Sequence, residues 1–289
     1  MGGQKRVRGA IWHELKKLRF SKTSGISLII GACIVFAHFA SVCAYVNRVY
    51  YSYVGISEHP MGLDSISLLA LILPNDNWFM TAFLFYLLLP ILAAFPFGAS
   101  FHEERKSGYQ RHILTRISKI QYLSAKILVC ALSGFLTIFI LLILDIMMCA
   151  IVCPLTRINV LSLVSGVWEG SFASSLFYNH PLLYIGAVIL MTSSWGAVCS
   201  VLALASGMYF TNPFFITSFP CFLMLIVTTV MEFLKGTLFR TFYEVRPLFL
   251  MKAEPGNFNP AWYIFMWQCG FILPAIAVYY WKGMRHENL

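Results

Sequence analysis

Two apolar runs, "WFMTAFLFYLLLPILAAFPFG" at residues 78–98 and "ILVCALSGFLTIFILLILDIMMCAIVC" at residues 127–153, decide the fold. Each is long enough to cross a bilayer, whose ~30 Å hydrocarbon layer takes about 20 residues of helix. Between them lies "SFHEERKSGYQRHILTRISKIQYLSAKIL", residues 100–128, a charged and strongly basic stretch. The chain therefore leaves the membrane after the first run and returns into it with the second.

Working outward, the same kind of run recurs at 26–46, 182–209, 214–233 and 262–281, which makes six. Composition agrees: 59% of residues are hydrophobic, 11% are charged, and the mean hydropathy is +0.74. In lipid the backbone must satisfy its own hydrogen bonds, so runs of this length are helices. Barrel strands would be near 10 residues with alternating polarity. The expected fold is an all-α integral membrane protein, a six-helix transmembrane bundle forming one transmembrane domain over 1–289.

Basic residues orient it. Seven lie within residues 1–25, six between Arg105 and Lys126, and two, Lys282 and Arg285, in the tail, so 15 of the 21 fall on one side if both termini and the elbow after the second run are cytoplasmic. That is the distribution the positive-inside rule favours. The first run follows a basic segment but exceeds a usual signal core and lacks a small-x-small cleavage site, so it reads as a retained signal anchor. The cations sit at bilayer faces, which suits anionic lipid and leaves no nucleic-acid interface.

The connecting segments have patterns of their own. Residues 1–24 place Val7, Ile11, Leu15 and Leu18 on one helical stripe and Arg8, Lys16 and Arg19 on another, which predicts an amphipathic interfacial helix. Residues 47–77 and 157–181 read as polar external loops. In "SGMYFTNPFF", Asn212 caps and Pro213 opens the fifth helix, closing a tight cytoplasmic hairpin. Ser118 and Gln121 have capping-box spacing and start the third helix in the cytoplasm. Gly108 permits a turn, "YQRHILTR" makes a short helix, and Ile113, Leu114 and Ile117 give the elbow at 101–120 a hydrophobic ridge for docking. Residues 234–260 place Leu234, Leu238, Phe242 and Val245 at helical spacing before Pro247, which predicts external re-entrant helices. Lys235, Arg240, Arg246 and Lys252 would snorkel from these to outer headgroups.

Catalytic signatures are missing: the chain has no G-x-x-x-x-G-K-[ST], no H-E-x-x-H and no G-x-S-x-G. All eight cysteines fall within the apolar runs, in no metal-finger spacing, and read as packing thiols, Cys149 and Cys153 at i, i+4 included. No metal or other cofactor is expected in this chain. Two ionisable residues inside the membrane, His38 and Asp145, are costly there. They suit either a polar site on a transport path or a hydrogen-bonded pair that fixes packing.

The elbow "HEERKSGYQRHILTRISKIQYLSAK", with its acidic pair, its Gly and then Tyr122 and Lys126, together with the basic amphipathic N-terminus, six runs and re-entrant segment before the last, resembles the permease subunit of the type-two ABC exporter family. The resemblance covers the whole chain in topology. It implies two permease subunits, identical or related, joined to two cytoplasmic ATPase subunits that carry ATP and Mg. It also implies that the elbow contacts the ATPase, with Glu103, Glu104, Arg105, Gly108 and Arg111 as coupling residues. The missing phosphate loop fits, since the nucleotide would sit on another chain. Prolines 90, 96, 220 and 274 and the small residues Gly196, Ser200, Ala203 and Gly207 offer bends and close packing. Two other classes remain open. One is a lipid-modifying membrane enzyme using His102, Glu103, Glu104 and His112, and the other is a membrane scaffold or sensor.

Overall fold

The computed structural model describes residues 22–53, 67–108, 114–115, 117–155, 167, 170–235, 246–252 and 260–285. Among them every regular element is helical. These are α1 (Lys22–Tyr53), α2 (Leu68–Leu71), α3 (Met80–Ala94), α4 (Ser100–Lys106), α5 (Lys119–Val152), α6 (Ser174–Asn179), α7 (Pro181–Ser206), α8 (Pro213–Lys235), α9 (Pro247–Leu250) and α10 (Ala261–Arg285).

Five of these, α1, α5, α7, α8 and α10, are long and apolar enough to cross a membrane. The chain is thus a helical membrane protein of multi-pass character. The second expected span is shorter than its apolar run. α3 has 15 residues, about 22 Å at 1.5 Å per residue, and the run 78–98 breaks into turns after Ala94 before α4 resumes. Pro96, which has no N–H to donate, and Gly98 mark the break. A Cβ on Gly98 would lie 2.6 Å from the Ala94 carbonyl oxygen and 2.8 Å from the Ala203 Cβ, so the turn presses directly onto α7.

α7 is the centre: 78% of its most apolar stretch is buried, against 11% for α10 at the periphery. Its closest partner is α5. A Cβ on Gly134 would meet the Gly196 oxygen at 2.4 Å, and one on Gly196 would meet the Gly134 oxygen at 2.7 Å, so the two backbones touch there. One turn on, the Ser200 hydroxyl donates to the Cys130 carbonyl at 2.7 Å. Small residues replace the missing hydrophobic drive between helices in lipid by letting dispersion contacts form at short range.

The expected caps form. Ser118 accepts from the Gln121 amide and Gln121 accepts from the Ser118 amide, a capping box opening α5. Asn212 accepts from the Phe214 amide at 3.0 Å at the head of α8. Ser206 joins the two arms of that hairpin by donating to the Ile216 carbonyl, and Lys119 reaches the Met284 carbonyl at 3.3 Å, bringing the end of α10 beside the start of α5.

Four expectations change. The segment 67–77 is no polar loop: Leu68, Leu69, Leu71, Ile72 and Leu73 are buried, as are Asn75 and Asp76. An apolar run of this length is driven inward, and it folds back against Pro154, whose carbonyl accepts from the Leu68 amide. Within 157–181, Ser174–Asn179 is a helix that buries Phe177 edge-on to Tyr184 at 5.0 Å. Of the elbow's ridge, Leu114 and Ile117 pack against the bundle's own core, while Ile113 lies outside the described residues. Of the four cations assigned to outer headgroups, Arg246 pairs with Glu232 at 3.3 Å and stacks on Phe249, and Lys252 donates to Asn77. The interfacial helix at 1–24, most of "YQRHILTR" and most of the re-entrant segment 234–260 lie outside the described residues, apart from α9 and the chain ends beside them.

Candidate functional site

At the elbow end, α4 is amphipathic over only seven residues. Phe101 and Glu104, three apart, face inward, while Glu103, Arg105 and Lys106 are exposed. Phe101 meets the fully buried Tyr279 of α10 edge-on at 5.6 Å. Glu104 is 2% exposed. Its two oxygens are each taken, one by the Lys126 ammonium at 2.7 Å and the other by the Tyr122 hydroxyl at 2.6 Å. Tyr122 and Lys126 stand at i, i+4 on α5, so both reach one point on the facing helix. The Lys126 ammonium also lies 4.6 Å from the centre of the Phe97 ring.

A charge this deep is tolerable because it is paired and hydrogen-bonded, and removing either partner would strand the other. The cluster therefore fixes α4 to α5. Gly108 closes the elbow helix with φ +72 and open space around it, a left-handed turn that a β-carbon would strain. Of the five residues assigned to ATPase contact, Glu103 and Arg105 are presented outward and Gly108 shapes the turn. Glu104 instead faces the bundle, so direct contact with a partner is closed to it. Arg111 lies outside the described residues, as does His112. His102 is half-buried, and the grouping of His102, Glu103, Glu104 and His112 is not assembled here, because Glu104 is committed to Lys126 and Tyr122.

The second cluster lies toward the opposite end. His38 of α1 and Asp145 of α5 are fully buried and meet at 2.7 Å through Nδ1 and Oδ1. The other Asp145 oxygen accepts the Leu73 amide at 2.9 Å. A third member, Asp76, comes from the inward-folded segment. Its Oδ2 is 3.4 Å from His38 Nε2, while its carboxylate accepts the Trp78 amide at 2.8 Å and the Phe79 amide at 3.3 to 3.4 Å. Asn75 completes the scaffold, donating to the Leu69 carbonyl and accepting from the Tyr184 hydroxyl at 3.1 Å.

His38 and Asp145 are thus brought together as a hydrogen-bonded pair. Among the described residues, His38, Asp145 and Cys149 offer ligand atoms within 4.8 Å of one another and could converge on a metal ion. Doing so would break the 2.7 Å bond between the imidazole and Asp145, so the arrangement reads as a closed hydrogen-bond network. Asp76 was missed by periodicity and spacing. The signal for it is "SLLALILPNDNW", an apolar run inside a presumed polar loop, followed by an Asp four residues before the first residue of α3.

The chain matches no protein-family model, none of the curated proteins and no solved structure.

Proposed function

We propose that the chain is the permease subunit of an ABC exporter, moving an amphipathic substrate such as a peptide, drug or lipid. It works in the cytoplasmic membrane with both termini inside, paired with a second permease subunit, identical or related. Separate cytoplasmic ATPase subunits, carrying ATP and Mg, drive it. One observation carries the reading: a short helix with exposed Glu103, Arg105 and Lys106 is pinned to the bundle by the buried Glu104–Lys126–Tyr122 cluster. ATPase closure can move a bundle only through a contact that does not slip, and a helix fastened to a long neighbour by a desolvated ion pair transmits displacement.

Residue roles divide accordingly. Glu103 and Arg105 make charge-assisted contacts with the ATPase, Gly108 sets the angle of the elbow, and Glu104 acts as a positioning residue through Lys126 and Tyr122. His38 and Asp145 fasten the opposite end of the bundle.

The reading is tested by purifying the tagged chain from its own cells in mild detergent. A second polypeptide carrying a G-x-x-x-x-G-K-[ST] phosphate loop should co-purify, and the complex should hydrolyse ATP. Purified chain that turns over lipid with no ATPase present would favour a membrane enzyme. A complex without nucleotide hydrolysis would favour a scaffold.

A further inference from the structure

Three helix ends meet around Gly283. A Cβ there would lie 2.9 Å from Leu123 Cδ1 of α5 and 3.5 Å from the Met208 Cε just past the end of α7, so the last turn of α10 seats directly on both. The residues flanking this glycine each touch one of the other two ends. The Lys282 ammonium lies 3.4 Å from the centre of the Tyr209 ring, and the Met284 carbonyl accepts from Lys119 at 3.3 Å. One residue on, the Arg285 guanidinium lies 4.4 Å from the centre of the Trp281 ring. Lys119, Lys282 and Arg285 are thus drawn to one patch at this end of the bundle.

Lys282 and Arg285 stand three apart on α10 and are neighbours on its surface. Among the described residues neither is in an ion pair, since Glu104 is taken by Lys126 and Glu232 by Arg246. Each rests on an aromatic face instead, which steadies the cation without supplying a carboxylate and leaves N–H donors over. Two adjacent cations with donors to spare suit the paired oxygens of a phosphate.

The setting is that of a head-group layer. Tyr209 and Trp281 are exposed, as are Ile120 and Met284, next in sequence to Lys119 and Arg285. α10 is peripheral, with only 11% of its most apolar stretch buried, so this surface meets lipid. Helical side chains lean toward the N-terminus of their helix, which for the last turn of α10 means back toward the bilayer. Arg285 does so, lying over Trp281 one turn deeper instead of reaching into water. Cations laid on aromatic rings at the end of a spanning helix belong to the membrane interface. A free anion in water gains nothing from the exposed apolar side chains, whereas a phospholipid uses them for its acyl chains and the cations for its phosphate. A zwitterionic head would also bring its own ammonium against three cations, and an anionic head brings none.

We infer that the patch formed by Lys119, Lys282 and Arg285 around the end of α10 is a binding site for an anionic phospholipid, with the phosphate between Lys282 and Arg285. Such binding does not depend on an ATPase and goes beyond the transport reading.

The test uses the full chain in mixed micelles of a mild nonionic detergent with equimolar phosphatidylglycerol and phosphatidylcholine of equal chain length. Native mass spectrometry counts the lipids that each chain keeps. At least one retained phosphatidylglycerol per chain is expected, favoured over phosphatidylcholine about tenfold or more. Lys282→Gln and Arg285→Gln should each lower that preference about fivefold, and the double variant should abolish it. Arg48→Gln, which removes an exposed cation at the opposite end of the bundle, should leave it unchanged. Equal retention of the two lipids, undiminished preference in the double variant, or a loss in Arg48→Gln as large as that in Arg285→Gln would each overturn the inference. So would loss of a co-purifying protein from the double variant with its lipid retained, which would assign the patch to a protein partner.

Discussion

Among the described residues the bundle holds two buried charge clusters, and they are built on different accounts. The elbow cluster is balanced, with one carboxylate, Glu104, against one ammonium, Lys126, and a hydroxyl, Tyr122, closing the remaining oxygen. The opposite cluster is unbalanced, with two carboxylates against one imidazole and backbone amides from Leu73, Trp78 and Phe79 supplying the rest. A balanced pair fastens two helices and has nothing left to offer a ligand. An unbalanced trio fastens elements too, with backbone amides rather than a second cation meeting the extra carboxylate.

The largest effect should come from breaking the balanced pair. Lys126→Met strands the Glu104 carboxylate at 2% exposure and should destabilise the chain by about 4 kcal/mol, read as loss of folded protein in detergent unfolding curves. Glu104→Leu combined with Lys126→Met should recover most of that, because an apolar pair of similar volume leaves no charge behind. A double variant as unstable as the single one would mean that the pair's worth lies in something other than compensation.

Asp145→Asn should cost less, about 2 kcal/mol, since the amide oxygen can still accept from His38 or Leu73 while the charge assistance is lost. It also removes one of the two negative charges, so a loss as large as that of Lys126→Met would contradict the distinction between the two clusters. Gly108→Val touches neither cluster. It should cost about 1 to 2 kcal/mol through its positive φ alone, measured in the same unfolding assay.

How much of this was legible in sequence follows from range. The long helices show in hydropathy, and the caps at Ser118 and Asn212 show in local spacing, because the partners are a few residues apart. The elbow cluster was half legible: Glu104, Tyr122 and Lys126 all stand in the stretch that carries the family resemblance, yet the inward turn of Glu104 depends on how α4 meets α5. The opposite cluster joins residues 38, 76 and 145 through three separate elements, and no periodicity reports such a meeting. Hydropathy itself misled at 78–98, where Pro96 and Gly98 interrupt an apolar run, and composition misled at 67–77, where flanking polar residues hid a segment that packs inside.

The smallest expected change in stability carries the most direct test. Glu103→Lys with Arg105→Glu reverses two exposed charges on α4 and leaves Glu104, Lys126 and Tyr122 in place, so folding should shift by no more than about 0.5 kcal/mol. ATP hydrolysis by the complex purified from native membranes is the measurement to make. The account predicts normal amounts of folded chain in the membrane, with the ATPase lost from the complex or its substrate-stimulated hydrolysis abolished. Full hydrolysis and full retention of the ATPase in this variant would show that the elbow's outer face does not couple the two subunits.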